Sequence, residues 1–142
     1  MINDKGFFHV VVEAIIEKDG KILITQRSLD RDHAPGEWET LTGRVGQGET
    51  LEEAVKREVK EETQLDVEII APFNTFHFYR GKEKEEHQGI SFWCRWKKGE
   101  VILDTKEQIA YKWVTPIEAL QYLKRESIIK SIQQFINMCK QY

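Results

Sequence analysis

Cysteine is scarce in this 142-residue sequence, which has two, Cys94 and Cys139, in no CxxC or Cys/His spacing. This scarcity excludes a disulfide-rich scaffold or a thiolate metal centre and favours reduced cysteines that serve in packing. Apolar stretches of membrane-spanning length are also lacking, and the N-terminal residues do not resemble a secretory signal peptide. We therefore expect a cytoplasmic protein with no membrane partner.

An excess of positive charge is lacking as well, because 21 lysines and arginines face 24 aspartates and glutamates, for a formal net charge of −3. Such a chain has no general attraction for a nucleic-acid backbone, so we expect no nucleic-acid partner. With 40% hydrophobic and 32% charged residues, the composition is typical of one globular domain. We expect residues 1–142 to form that single domain, as a monomer or a homodimer.

The hydrophobic periodicity changes several times along the chain and predicts strands and helices in alternation. Asp19-Gly20 separates two β-branched runs, which is the signal of a hairpin with a two-residue turn. The predicted elements are strands over 7–17 and 21–27, a loop over 28–40, a strand over 41–45, a helix from Thr50, strands over 67–80 and 89–99, a strand ending at 114, a helix from Pro116 through Leu123 and a helix over 127–139. This order predicts a mixed sheet with helices packed against it.

The segment REVKEETQL places Glu58, Glu61 and Glu62 on one side of the helix that begins after Thr50. Like charges at this spacing destabilise a helix, so the cluster needs a reason. One hypothesis is that the carboxylates converge on a hard divalent cation, which prefers oxygen ligands. The alternative is a solvated helix face on which Arg57 and Lys60 are the ionic partners.

The spacing of glycine and charged residues around this helix favours the first hypothesis over the second. The chain resembles the Nudix (MutT-like) hydrolase family, because it matches seven of the eight fixed positions of the Nudix box. The matching residues are Gly43, Glu49, Arg57, Glu58, Glu61, Glu62 and Leu65. The departure is Gln64, where the family has a glycine that suits a left-handed position at the helix end.

The resemblance implies an α+β fold, an α/β/α sandwich with a mixed sheet and the box helix. It also implies cleavage of a diphosphate linkage in a small phosphorylated substrate by metal-assisted water attack. Glu58 and Glu62 would be the main ligands of Mg²⁺, with Glu61 and the Thr42 carbonyl completing the site, and Mn²⁺ is expected to substitute. The remaining roles fall to Gly43, which shapes the loop, and to Glu49 and Arg57, which are expected to pair and hold that loop against the helix.

Residues outside the box are candidates for further roles. Glu107 matches the spacing of a distal metal-binding glutamate in MutT-like members, and the alternative is a solvated loop residue. Arg27 is a candidate phosphate contact, or a charge at a strand edge. Arg44 is a cation close to the expected metal site. Trp38 and Phe78 are candidates for stacking on a base, although aromatic residues at such positions more often pack in a core.

The substrate class is the least determined part of the prediction. The expected substrate is a nucleoside diphosphate derivative, namely a nucleoside triphosphate, a nucleotide sugar or a dinucleoside polyphosphate. The secondary marks of the ADP-ribose, dinucleoside polyphosphate and coenzyme A subfamilies are not convincingly matched. Two alternatives remain open, an enzyme like isopentenyl diphosphate isomerase and a non-catalytic nucleotide-binding module on the same fold.

Overall fold

The computed structural model describes residues 6–141, in which a seven-stranded mixed sheet separates two layers of helices. This α/β/α arrangement confirms the predicted α+β fold class. The elements are β1 (His9–Lys18), β2 (Lys21–Arg27), β3 (Trp38–Glu39), β4 (Leu41–Arg44), α1 (Leu51–Thr63), β5 (Asp66–Arg80), β6 (Glu85–Lys98), β7 (Gln108–Val114), α2 (Pro116–Ala119) and α3 (Glu126–Cys139).

The sheet is organised around β1, which pairs with three other strands. It runs parallel to β6 and antiparallel to both β2 and β4, and β5 extends the sheet beyond β6 as its antiparallel neighbour. The strand order is β3-β2-β1-β6-β5, with β4 beside β1 and β7 beside β2. Since β1 is central, alternate β1 side chains are buried on opposite faces of the sheet, beneath different helices.

The β1–β2 hairpin confirms the first sequence prediction. Asp19 and Gly20 have φ angles of 51° and 78°. Two consecutive positive φ angles are the mark of a type I′ turn, whose twist matches that of the flanking strands. The turn therefore sets the register in which Lys18 lies opposite Lys21.

Helix α1 begins and ends through specific backbone contacts. The side chain of Thr50 accepts a hydrogen bond from the Glu53 amide, which satisfies one of the free amides of the first turn. At the other end Gln64 takes the left-handed conformation, with φ 64°, and its amide donates to the Lys60 carbonyl. Glutamine thus occupies the conformation for which the family uses glycine.

The two faces of the sheet bury separate hydrophobic cores. One core lies beneath α1, where Ala54, Val55 and Val59 are fully buried, and the other lies beneath α2 and α3, around Ile132 and Phe135. Each core removes apolar area from water, and this burial stabilises the fold by about 25 cal/mol for each Å² of apolar surface. Within residues 6–141, no helix is long and apolar enough to cross a membrane.

Several element boundaries differ from the sequence prediction. The helix predicted over 116–123 ends at Ala119, and β6 begins at Glu85 instead of residue 89. Longer pairing with β5 explains the second difference, because Arg80 and Glu85 are opposite each other across a short turn. The predicted loop over 28–40 contains the short strand β3, which pairs with β2. Both cysteines are free, and Cys94 is fully buried.

Candidate active site

A cavity of about 450 Å³ opens between the sheet, the C-terminal part of α1 and the start of α3. Its lining combines acidic side chains, arginines and aromatic rings. The lining residues are Val11, Glu13, Arg27, Arg31, His33, Glu39, Thr42, Gly43, Arg44, Glu62, Phe76, Phe78, Tyr79, Arg80, Gly81, His87, Arg125, Ser127, Ile128 and Ser131.

Arg57 holds the glycine-rich segment over 43–49 against helix α1. Its guanidinium donates to both carboxylate oxygens of Glu49, at 2.6 and 2.9 Å, and also to the Arg44 carbonyl, at 2.9 Å. The pair lowers the pKa of Glu49 to about 2, chiefly through the hydrogen bond from Arg57 and then through the bond from the Gly46 amide. This is the contact expected of Glu49 and Arg57 from the sequence.

Glu58 is held directly against the backbone of β4. A Cβ atom on Gly43 would overlap the Glu58 carboxyl group, so no other residue leaves room for this approach. Arg57 donates to Glu58 at 2.8 Å. Burial raises the pKa of Glu58 even though Arg57 opposes that shift. Gly43 therefore lets a carboxylate lie beside Thr42, which lines the same cavity.

Glu62 differs from its neighbours because its side chain has no hydrogen-bond or ion-pair partner among residues 6–141. Burial raises its pKa to about 7, and the charges of Glu58, Glu39 and Glu107 add to the shift. A half-buried carboxylate in the field of three others is unfavourable unless a cation compensates it. Glu62 thus has the surroundings of a metal ligand.

The three box carboxylates do not form a closed ligand set. In the described part of the chain, no three acidic, histidine or cysteine side chains are close enough together to hold a metal ion. Glu61 is mostly exposed and lies 3.4 Å from Arg57, which also attracts Glu58. The donor set of Glu58, Glu62 and the Thr42 backbone nevertheless suits a hard divalent cation.

A buried ionic network, not foreseen from the sequence, lines part of the cavity. Glu39 is almost fully buried and accepts hydrogen bonds from Arg27 at 3.0 Å, from Arg125 at 2.7 Å and from Gln108 at 2.8 Å. Arg31 is 3.9 Å away. One carboxylate thus organises three arginines on the cavity side of β2, β3 and α3.

A second unforeseen carboxylate, Glu13 of β1, lies beneath the cavity. It is 2% exposed and accepts hydrogen bonds from the hydroxyls of Thr40, Ser91 and Ser131. Burial raises its pKa in spite of these bonds. The network joins β1, β6 and α3, and it fixes α3 against the sheet beside the cavity.

The aromatic side of the cavity is built on β5 and β6. Phe78 stacks on His87 with ring centres 4.6 Å apart and planes at 11°, and the Phe76 ring is parallel to Phe78. A Cβ atom on Gly89 would overlap the Phe76 ring. The glycine therefore lets the ring lie against β6, where it lines the cavity. Burial lowers the pKa of His87, which favours its neutral form.

The structure separates the four substrate-binding candidates into two groups. Arg44 and Phe78 line the cavity with accessible surface, whereas Arg27 lines it but is 5% exposed and paired with Glu39. Trp38 is not in the lining. It packs edge-on against Tyr122, at 5.5 Å, as part of the core beneath α2 and α3. Its position on the edge strand β3 directs it to packing, so it is not placed to contact a substrate in this cavity.

Glu107 lies in the turn before β7 and outside the cavity lining. Its carboxylate is 3.0 Å from Arg31, and its charge acts on the pKa of Glu62. The same turn contacts α1, because the Asp104 amide donates to the Glu62 carbonyl at 3.3 Å. Glu107 is thus close to the box helix but already has an ionic partner.

Comparison with known proteins agrees with this geometry. Residues 7–135 match the NUDIX domain family. The chain is 32% identical to the CTP pyrophosphohydrolase of Escherichia coli K12 over 128 residues, covering 89% of this chain and 90% of that protein. It is 31% identical to the nucleoside triphosphatase NudI of Escherichia coli UMN026 over 121 residues, covering 79% and 85%.

A solved structure shows the same fold. The solution structure of the Escherichia coli ORF135 protein superposes with a TM-score of 0.75 at 28% identity, covering 92% of this chain and 90% of that one. Together with the box residues around α1, these similarities show that the chain belongs to the Nudix family. Its members generally use divalent metal cations, and the function of the chain is hydrolysis of a diphosphate linkage in a nucleotide derivative.

Proposed function

We propose that the protein is a pyrophosphohydrolase of nucleoside triphosphates that uses Mg²⁺, with Mn²⁺ able to substitute. The observation that carries the proposal is the cavity, which places the partnerless carboxylate of Glu62, a wall of arginines and an aromatic surface around one volume. A nucleoside triphosphate has the complementary parts, a polyanionic chain and a flat base. The names of the two relatives, a CTP pyrophosphohydrolase and a nucleoside triphosphatase, support the same substrate class.

The box residues are assigned to the cation. Glu58 and Glu62 would hold Mg²⁺, with Glu61 and the Thr42 carbonyl as further contacts. When bound there, Mg²⁺ neutralises the diphosphate oxygens and makes a bound water more acidic. The protein positions the ligands. The Arg57 guanidinium donates to the Glu58 carboxylate at 2.8 Å, and Gly43 allows that carboxylate to reach the backbone of β4.

We assign Glu107 a role beside the box helix, as a distal ligand or as the group that orients the attacking water. Its turn contacts the end of α1, and its charge acts on Glu62. Such a role requires the carboxylate to leave Arg31, its partner at 3.0 Å. The exposed position of this turn makes that exchange physically reasonable.

The base is assigned to the aromatic side of the cavity, where the parallel rings of Phe76 and Phe78 line the same volume as Arg44. Stacking of a base on an aromatic ring contributes about 1–3 kcal/mol. Phe78→Ala should therefore raise KM with little change in kcat, since the contact is equal in ground and transition states. Trp38→Ala is the matched control, because that ring lies outside the cavity.

The cavity argues against the isomerase alternative. Only Val11 and Ile128 are aliphatic among the lining residues, so there is no continuous apolar surface for an isoprenoid chain. Neither Cys94 nor Cys139 lines the cavity, and the thiol that such isomerases use has no counterpart there. A non-catalytic module is disfavoured because the box glutamates are all retained. The cytoplasmic location, the single domain over residues 1–142 and the monomeric or dimeric state stay predictions.

The direct test is a panel of substrates assayed for release of pyrophosphate or phosphate, with Mg²⁺ or with EDTA. The panel contains CTP and the other nucleoside triphosphates, UDP-glucose, diadenosine tetraphosphate and isopentenyl diphosphate. We expect turnover of triphosphates that EDTA abolishes. Conversion of isopentenyl diphosphate to its isomer, or no turnover of any nucleotide, would contradict the proposal.

A further inference from the structure

Arg80, the last residue of β5, is unusual among the cations of the cavity. Its guanidinium lies 5.1 Å from the ring centre of Phe78, and the residue lines the cavity. Among residues 6–141, no carboxylate lies within 4.0 Å of its nitrogen atoms, and its side chain donates no hydrogen bond to the protein. The positive charge of Arg80 is therefore uncompensated by the part of the chain that the structure describes.

The other cavity arginines are all compensated. Arg27 and Arg125 pair with Glu39, Arg31 pairs with Glu107 and Arg44 lies near Glu85, at distances of 3.0, 2.7, 3.0 and 3.8 Å respectively. A guanidinium without such a partner is not required for the network that holds the wall together. The Arg80 guanidinium in the lining is therefore able to bind an anion that enters the cavity.

The surroundings of Arg80 add to this argument. Arg80 is exposed at the edge of the cavity, and its partial burial lowers its pKa, as do the positive charges of Arg125 and Arg27, against the opposing charge of Glu39. The group thus lies in a region of net positive potential, where a phosphate is attracted by several cations together. The planar fork of arginine also matches two phosphate oxygens at once.

We propose that Arg80 binds a phosphate of the substrate other than the two joined by the scissile linkage. The inference rests on the proposed function, in which those two phosphates lie at the cation held by Glu58 and Glu62. Arg80 then makes the enzyme favour nucleotides with three or more phosphates over nucleotide sugars, which have only two. It is a specificity-determining residue that the Nudix box does not include.

The first experiment compares Arg80→Gln with Arg95→Gln. Arg95 is a matched control because its guanidinium also lies over an aromatic ring, 5.5 Å from that of Trp93, but outside the cavity lining. We expect Arg80→Gln to raise KM for CTP about tenfold or more, the usual effect of losing a charged hydrogen bond, with kcat little changed. KM for UDP-glucose should stay within about twofold, whereas an equal rise for both substrates would overturn the proposal.

A binding measurement separates the phosphate chain from the base and from turnover. Calorimetry with tripolyphosphate in the presence of Mg²⁺ should show weaker binding to Arg80→Gln than to the wild type and Arg95→Gln, each checked for an unchanged melting temperature. If tripolyphosphate binds equally well to all three while CTP binds more weakly to Arg80→Gln, Arg80 contacts the base and the proposal is wrong. If no nucleotide is hydrolysed but tripolyphosphate binding depends on Arg80, the proposed function fails and the phosphate site is supported.

Discussion

Gly43 and Glu58 are in direct contact, because the Glu58 carboxyl group occupies the space that a Cβ atom on residue 43 would need. The two residues lie on different elements, β4 and α1, and the contact brings a carboxylate against the strand that carries Thr42. The requirement for glycine at this position is thus steric. It does not depend on a positive φ angle, which Gly43 does not have.

Gly43→Ala should displace Glu58 and reduce turnover by about 100-fold, since a displacement of about 1 Å in an active site has effects of this size. Gly46→Ala, in the loop that follows β4, is the control, because its Cβ would meet Glu49 at an ordinary 3.5 Å. Turnover and circular dichroism of both variants provide the measurement. Wild-type activity in a folded Gly43→Ala variant would mean that the position of Glu58 is unimportant.

Glu62→Gln tests whether the half-buried carboxylate holds the cation. The amide keeps the shape of the side chain but removes the charge, so transition-state stabilisation should fall by several kcal/mol, about the scale of such electrostatic contacts. Glu52→Gln, on an exposed part of the first turn of α1, should leave turnover unchanged. In addition, Mg²⁺ should raise the melting temperature of the wild type and of Glu52→Gln, but less that of Glu62→Gln. An equal rise in all three would exclude Glu62 as a ligand.

Prediction from sequence succeeded where the determining contacts are local. The turn at Asp19-Gly20 and the capping residue Thr50 each act within a few residues, so the pattern predicts them directly. The box residues over 43–65 are predicted from their resemblance to a family motif. The ionic network around Glu39 is different, since Arg27 and Arg125 are 12 and 86 residues away from it in the chain. No periodicity links such positions, and only the tertiary fold brings them together.

Aromatic residues show the same limit for the candidate site. The sequence makes both Phe78 and Trp38 candidates for base stacking, but the pairing of β5 with β6 directs Phe78 into the cavity, whereas β3 directs Trp38 to the core with Tyr122. Which face of a sheet an aromatic residue occupies depends on strand register. For β5 that register includes three irregularities, which a strict alternation rule does not foresee.

Glu107→Gln distinguishes a role in chemistry from a role in holding Arg31. If the carboxylate acts on a metal ion or on water, kcat should fall much more than KM rises, and the pH–rate profile should change. The control is Glu100→Gln, because Glu100 is exposed and lies upstream of the turn that contains Glu107. Unchanged kcat and an unchanged profile would assign Glu107 to the ion pair with Arg31 alone.

The ion pair of Glu49 with Arg57 should make stability depend on pH. Because the folded state lowers the pKa of Glu49 from 4.5 to about 2, the pair stabilises the fold above pH 4.5, and this contribution is lost as the pH falls toward 2. Glu49→Gln should therefore lower the melting temperature at pH 7, and the difference from the wild type should shrink between pH 4.5 and 2. Glu83→Gln, in the exposed turn after β5, is the control variant. A constant difference across this range would contradict the assigned shift.

Gln64 occupies a left-handed position, with φ 64°, in which a side chain is strained and glycine is not. Gln64→Gly should relieve this strain and increase the free energy of unfolding by about 1 kcal/mol, partly offset by the greater freedom of glycine in the unfolded chain. Urea denaturation measures the change. Gln121 has no positive φ angle, so Gln121→Gly should not stabilise the protein.

The turnover of Gln64→Gly is a second test of this substitution. The amide of residue 64 donates to the Lys60 carbonyl, a bond that glycine retains, so the helix should end at the same residue with Glu62 unmoved. We therefore expect Gln64→Gly to keep kcat and KM near the wild-type values. A stabilised variant with greatly reduced turnover would instead show that the glutamine side chain itself serves the site, and a destabilised one would show that its left-handed conformation is not strained.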